Sequence, residues 1–77
     1  FVYTQRGGDT VPDKKIVGQR LKTLRGSRTL EEVGEALGVS SMAVSLWERG
    51  ERVPSDAMKV AIAAYYKKSV MAIFYRD

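Results

Sequence analysis

The side chains that could do chemistry in this chain are carboxylates, amines, guanidinium groups and hydroxyls, because its 77 residues include no histidine and no cysteine. Histidine is the usual general base near neutral pH, and the two missing residue types are the usual zinc ligands. Catalysis would need a carboxylate pair, a Ser–Lys arrangement or a tyrosine in a pocket, and nothing in the spacing suggests one. We therefore expect no enzymatic activity, no metal and no cofactor.

The densest group of carboxylates has a structural interpretation. Glu31, Glu32 and Glu35 follow Thr29. A threonine with a glutamate three residues later has the form of a capping box at the start of a helix. Carboxylates in the first turns also interact favourably with the helix dipole. We expect these glutamates to be solvated helix residues.

The charge balance favours a polyanionic partner. Thirteen Lys and Arg against nine Asp and Glu give a formal net charge of +4, and basic domains commonly bind nucleic acid. Four cations lie near the two ends of residues 29–50. Lys22 and Arg28 precede this stretch, Arg49 is close to its end, and Arg52 follows it. In that arrangement they could contact phosphates on either side of a groove.

Residues 40–49 predict a helix with two unlike faces, at about 100° per residue. The candidates for the core side are Ala43, Val44 and Trp47. The opposite side carries Ser41, Met42, Ser45 and Leu46, with Arg49 at its end. An exposed face of small and mixed side chains can enter the major groove of duplex DNA, which admits one α-helix.

Capping residues and apolar spacing predict five helices and no strand. Their predicted starts are Asp13, Thr29, Ser40, the turn Pro54-Ser55 and Ser69. The predicted core stripes are Val17, Leu21 and Leu24; Val33 and Leu37; and Met58, Ile62 and Tyr65 or Tyr66. The short fifth helix holds Val70, Ile73 and Phe74. Gly26 ends the first helix, Gly38 allows a sharp reversal after the second, and Gly34 indicates a tight helix crossing.

The first 12 residues predict a flexible arm, and residues 13–77 the folded domain. The arm contains Gly7, Gly8 and Pro12, and its Arg6 could reach a minor groove or simply be solvated. The chain does not begin with Met, so we expect residue 1 not to be the natural start. No signal peptide or membrane span is predicted, and we expect a cytoplasmic, nucleoid-associated protein.

Residues 29–50, TLEEVGEALGVSSMAVSLWERG, resemble the Cro/repressor-type (Xre-like) helix-turn-helix family of phage and bacterial regulators. The matching features are Thr29, the run EEV at 31–33, LGVS at 37–40, VS at 44–45, WERG at 47–50 and PS at 54–55. The resemblance extends over nearly everything from Ile16 to Phe74, including RLKTLR at 20–25. The combined pattern is specific, whereas any four-residue piece of it would be weak.

The resemblance implies an all-α, five-helix lambda-repressor-like domain that binds double-stranded DNA as a transcriptional regulator, expected to be a repressor and a homodimer. The implied base-facing residues are Ser41, Met42, Ser45 and Leu46. The phosphate-facing residues are Ser40, Arg49 and Arg52, to which the charge pattern adds Arg28 and Lys22. The structural residues are Trp47 in the core, Gly38 in the turn, and Glu48 in an ion pair with Arg25.

Three features depart from the family pattern. Leu30 stands where many members carry a glutamine that contacts the DNA backbone. Met42 and Leu46 replace polar base readers, although apolar side chains can still contact thymine methyl groups. The link between the first two helices is about two residues shorter than the commonest form, which leaves the fold expectation intact.

Several alternatives remain open on the sequence alone. The stretch could be an ordinary helical hairpin, or a protein-interaction module such as the antitoxin of a toxin–antitoxin pair, with Met42 and Leu46 as its protein-binding patch. Trp47 could stack on a base rather than pack in the core. The ion pair of Glu48 with Arg25 could be exposed and of little worth. Apolar surface near the C-terminus, around Val70, Phe74 and Tyr75, could form a dimer contact.

Overall fold

Side-chain caps begin each of four α-helices in the computed structural model, which describes residues 12–76. The helices are α1 (Lys14–Arg25), α2 (Leu30–Leu37), α3 (Ser41–Glu48) and α4 (Asp56–Tyr66). Their N-caps are Asp13, Thr29, Ser40 and Ser55. At α2 the predicted capping box is complete: Thr29 Oγ1 accepts from the Glu32 amide at 3.0 Å, and the Glu32 carboxylate accepts from the Thr29 amide at 2.7 Å.

The fifth helical segment is a short π-helix, Met71–Tyr75. Ser69 Oγ accepts from the Ala72 amide at 3.0 Å, so the predicted cap is present. The Arg76 amide donates to the Met71 carbonyl at 2.7 Å, which is the five-residue spacing of a π-helix. Residues 12–76 contain no strand. The all-α, five-helix prediction is therefore confirmed, with a π-helical last turn that the sequence did not predict.

One apolar core joins all five segments. Its buried members are Val17, Leu21, Val33, Val44, Trp47, Ile62, Ala63, Ile73 and Phe74. Each predicted stripe contributes to it, and partly buried residues of the stripes and of the fifth segment pack against it: Leu24, Leu37, Met58, Tyr65, Tyr66 and Val70. Trp47 is only 7 % exposed, so the indole packs in the core and cannot stack on a base.

Glycines at positions 18 and 34 allow two close helix approaches. A Cβ on Gly34 would lie 2.7 Å from the carbonyl oxygen of Val39, which confirms the predicted tight crossing of α2 with the turn before α3. A Cβ on Gly18 would meet the carbonyl oxygen of Glu48 and would lie 2.7 Å from that of Trp47. The backbone of α1 therefore runs directly against the C-terminal end of α3.

The prediction that Phe74 belongs to an exposed apolar surface is wrong, whereas Val70 and Tyr75, which were predicted with it, are partly exposed. Phe74 is 2 % exposed because its ring closes the core, with the Lys59 ammonium 5.6 Å from the ring centroid. The exposed apolar side chains are instead distributed over several elements: Ile16, Met42, Val53, Val60 and Met71. The left-over apolar surface is thus not confined to the C-terminus, and Phe74 is not a candidate dimer contact.

The predicted arm, with its candidate Arg6, lies outside the described residues apart from Pro12. None of the helices in the described part of the chain is both long and apolar enough to cross a membrane. Within residues 12–76 no group of three or more Asp or Glu side chains could hold a metal ion.

We expect Gly18→Ala to destabilise the domain by about 1–3 kcal/mol, the usual cost of overpacking, because the added methyl group meets α3 backbone that cannot rotate away. In an exposed helix the same change would stabilise by about 1 kcal/mol. Chemical unfolding followed by circular dichroism measures the difference. Gln19→Ala, at the exposed neighbouring position, is the matched control. A Gly18→Ala protein that is more stable than the parent would show that α1 and α3 are not in this close contact.

Candidate nucleic-acid interface

The turn between α2 and α3 fixes the direction in which α3 leaves. Gly38 adopts the left-handed conformation, with φ of 75°, and ends α2. The Val39 amide donates to the Gly34 carbonyl at 2.8 Å, and the half-buried Val39 packs against the core. Ser40 Oγ then accepts from the Ala43 amide at 3.1 Å and begins α3. The turn is therefore held by local hydrogen bonds and by the packing of Val39 against the core.

An ion pair ties the far end of α3 to α1. Arg25 Nε donates to Glu48 Oε2 at 2.7 Å, and the two side chains are 19 % and 6 % exposed. The hydrogen bond to Glu48 raises the pKa of Arg25 above its ordinary value, with the Glu48 charge acting in the same direction. Arg25 Nη1 also donates to the Arg28 carbonyl at 2.7 Å. The pair implied by the family resemblance is thus present and largely shielded from water.

Tyr66 lies at the end of α4, beside this ion pair. Burial raises the pKa of the Tyr66 hydroxyl to about 12, and the negative charge of Glu48 contributes in the same direction. The phenol is therefore neutral over a wider pH range in the folded protein than in the unfolded chain, whose tyrosines titrate near 10.

The outward face of α3 carries the four predicted base-facing residues. Met42 is the most exposed, at 60 %. Ser41, Ser45 and Leu46 are partly exposed, on the side away from the buried Val44 and Trp47. The structure thus gathers on one surface the residues that the sequence placed there, and none of the four side chains is charged.

The predicted phosphate-facing residues differ in their exposure and in the contacts that they already make within the protein. Arg49 and Arg52 are exposed, and Arg49 Nη1 lies 3.6 Å from Glu51 Oε2, a long and solvent-accessible pair. Lys22 is exposed on α1, and Ser40 is exposed at the start of α3. An exposed ion pair of this kind is worth little, so Arg49 can exchange Glu51 for another anion at small cost.

Arg28, in contrast, already has several partners. Its Nη1 donates to the Leu24 carbonyl at 3.0 Å and to the Arg25 carbonyl at 3.3 Å. The guanidinium carbon lies 5.5 Å and 5.6 Å from the ring centroids of Tyr65 and Tyr66. A phosphate contact of Arg28 stays a prediction, and the phosphate would have to compete with these contacts.

Two cations that the sequence analysis did not single out hold the C-terminal segment in place. Arg20 Nη1 donates to the carbonyls of Ala72 and Ile73 at 3.2 Å and 3.1 Å. Lys59 Nζ donates to the Tyr75 hydroxyl at 3.0 Å and lies 4.9 Å from the centre of that ring. Both contacts join residues far apart in the chain or on separate helices, so no local spacing signals them.

The chain is similar to known helix-turn-helix proteins in sequence and in fold. Residues 16–69 match the family model described as a helix-turn-helix domain. A comparison with curated protein sequences finds no significant match.

Solved structures of two repressors and a gene regulator have a similar fold. The P22 c2 repressor, solved in complex with synthetic operator 9T, superposes with a TM-score of 0.76 at 26 % identity over 80 % of this chain and 97 % of that chain. The clp gene regulator ClgR from C. glutamicum has a TM-score of 0.68 at 27 % identity, over 78 % and 80 % of the two chains. The SOS-response repressor LexA from Eubacterium rectale has a TM-score of 0.77 over 84 % and 71 %, and at 21 % identity it shows the fold alone.

The protein is a DNA-binding transcriptional regulator with a lambda-repressor-like domain, as its helical fold and its similarity to the repressor and regulator structures show. The match over residues 16–69 covers more than half of the sequence, and the chain belongs to the helix-turn-helix family.

We expect the stability of the domain to fall as the pH rises from about 10 towards 12, because the unfolded chain loses the Tyr66 proton near pH 10 and the folded protein retains it. Below about pH 10 this contribution is fully present. Tyr66→Phe removes the ionisable group, so its unfolding free energy should fall less steeply over that range. Urea unfolding at pH 8 and at several values between pH 10 and 12 tests this. Equal losses in the parent and Tyr66→Phe would show that Tyr66 is not shielded.

Proposed function

We propose that this protein is a sequence-specific repressor that inserts α3 into the major groove of duplex DNA. One observation carries the proposal: α3 presents an uncharged, solvent-accessible face, and the exposed cations Arg49 and Arg52 adjoin its C-terminal end, where Arg49 has only a long surface pair with Glu51. Uncharged groups can contact base edges, while cations contact phosphates and fix the register on the duplex. The operator-bound P22 c2 repressor, similar over 80 % of this chain, supports the same use of the fold.

The residue roles follow from position and availability. The proposed base-contacting residues are Ser41, Met42, Ser45 and Leu46. Ser40 Oγ accepts from the Ala43 amide, which leaves the hydroxyl hydrogen free to donate to a phosphate. Arg49, Arg52 and Lys22 supply further phosphate contacts from exposed positions.

The rival interpretations have less support. The family match and the regulators with the same fold do not favour an antitoxin, although a protein partner that binds the exposed Met42 remains the alternative use of this face. A purely binding role accords with the absence of histidine and cysteine from the sequence, so we propose no enzymatic activity and no cofactor. A repressor of this kind would act in the cytoplasm, at the nucleoid.

We also propose that two copies act together on a two-fold site. One recognition helix contacts only a few base pairs, and two related helices about 34 Å apart, one turn of DNA, double the information read. Because Phe74 is buried, we propose that a contact through the fifth helical segment centres on Met71, which is 58 % exposed, with the partly exposed Val70 and Tyr75 beside it.

We expect duplex binding to weaken steeply with salt, with a slope of about −0.9 in log K against log salt for each phosphate contacted. Arg49→Ala should weaken binding to all sequences alike and make the slope shallower by about 1. Titration of a selected duplex at several salt concentrations measures both. Lys67→Ala, at an exposed position on the C-cap of α4, is the charge-matched control and should leave the slope unchanged. A flat salt response of the parent protein would overturn the proposed interface.

Sedimentation with a palindromic duplex tests the dimer, and we expect two chains per duplex. Met71→Glu should reduce the complex to one chain per duplex and leave the fold intact, because a charge at a dimer contact is costly to bury. Val60→Glu is the matched control: Val60 is 61 % exposed against 58 % for Met71, and it lies on α4. A one-to-one complex of the parent protein would refute the dimer. If Met71→Glu still binds with two chains per duplex, only the location of the dimer contact in the fifth segment would be refuted.

A further inference from the structure

The outward face of α3, formed by Ser41, Met42, Ser45 and Leu46 and called the reading face below, has an unusual chemical composition. Its four members are two serines, one methionine and one leucine. Side chains that make two hydrogen bonds to one base are absent from it: there is no arginine or lysine for guanine, no asparagine or glutamine for adenine, and no carboxylate for cytosine. Serine hydroxyls both donate and accept, so they bond to either kind of group and select weakly.

The nearest cation on this helix, Arg49, is poorly placed to supply the missing hydrogen bonds to bases. Arg49 is the C-cap of α3, about 10 Å along the helix axis from Met42 at 1.5 Å per residue. Recognition helices of this type contact bases mainly with their N-terminal residues. Arg49 is therefore a phosphate contact at the far end, and the base edges are left to the uncharged side chains.

Met42 and Leu46 form a continuous apolar strip on this face. They are four residues apart, which places their Cβ atoms about 5–6 Å from each other. Met42 is 60 % exposed in the free protein and Leu46 is partly exposed, so a surface that covers them removes apolar area from water. The flexible, unbranched methionine side chain can also adapt to an irregular apolar partner.

The major groove offers one apolar group that identifies a base, the C5-methyl group of thymine. We propose that this protein recognises its site chiefly through thymine methyl groups, contacted by Met42 and Leu46, and not through bidentate hydrogen bonds to purines. This inference rests on the proposed function, since it assumes that α3 enters the major groove. It assigns Met42 and Leu46 as specificity-determining residues and thymine-containing steps as the preferred target.

The test begins with a duplex selected from a random pool by the protein itself. Each thymine is then replaced singly by deoxyuridine, which removes the methyl group and keeps every hydrogen-bonding group. We expect the affinity to fall about fourfold at each contacted thymine, the factor for losing the burial of one methyl-sized group, and not elsewhere. Replacing a contacted T·A pair by C·G should weaken binding, and 5-methylcytosine at that position should recover part of the loss.

Variants separate a direct contact from an effect on DNA shape. Met42→Ala and Leu46→Ala should each abolish the deoxyuridine effect at a different thymine, because the contact has already been lost. Val60→Ala is the control, because Val60 lies on α4 and is 61 % exposed against 60 % for Met42. This variant should retain all the deoxyuridine effects.

Three outcomes would overturn the inference in distinguishable ways. Failure to select any duplex would remove the proposed function together with the inference. Selection of a duplex that tolerates deoxyuridine at every position would remove the inference alone. Deoxyuridine effects of the same size in the parent, Met42→Ala and Leu46→Ala would assign them to DNA shape and remove the roles of both side chains.

Discussion

The contact between α1 and the C-terminal end of α3 is the constraint on which the rest of the structure depends. At this contact Gly18 brings the two backbones together, so that a single added methyl group would meet the carbonyl of Glu48. The Arg25–Glu48 ion pair closes the same contact at 2.7 Å. Breaking one partner of a shielded pair leaves a charge without compensation, so the pair fixes orientation even where its net contribution to stability is small. The direction of α3 is therefore set at both ends, by this contact and by the Gly38 turn.

A helix held in this way can devote its outer face to recognition. Val44 and Trp47 pack its inner side into the core, and the opposite side faces solvent. The same division holds for the cations. Arg20, Arg25 and Lys59 make contacts within the fold, whereas Arg49 and Arg52 are exposed. Preorganisation of a small reading face lowers the cost of ordering on binding.

Local chemistry predicted most of the fold, and long-range packing accounts for what was missed. The capping box at Thr29, the turn at Gly38 and the phase of Trp47 each follow from residues within one or two helical turns, so sequence patterns could place them. The approach of α1 at Gly18 and the hydrogen bonds from Arg20 depend on partners 30 to 53 positions away, and no spacing rule encodes them. The family resemblance supplied the Arg25–Glu48 pair, which local reasoning alone would not have found.

An NMR titration of the ¹⁵N-labelled protein with a selected duplex tests whether the outward face of α3 is the surface that contacts DNA. We expect the largest amide shifts at Ser41, Met42, Ser45 and Leu46, and smaller ones at Ser40 and Arg49. A duplex of unrelated sequence should perturb mainly Ser40 and Arg49. Shifts that fall instead on α4 or the C-terminal π-helix, with α3 unperturbed, would contradict this location of the interface.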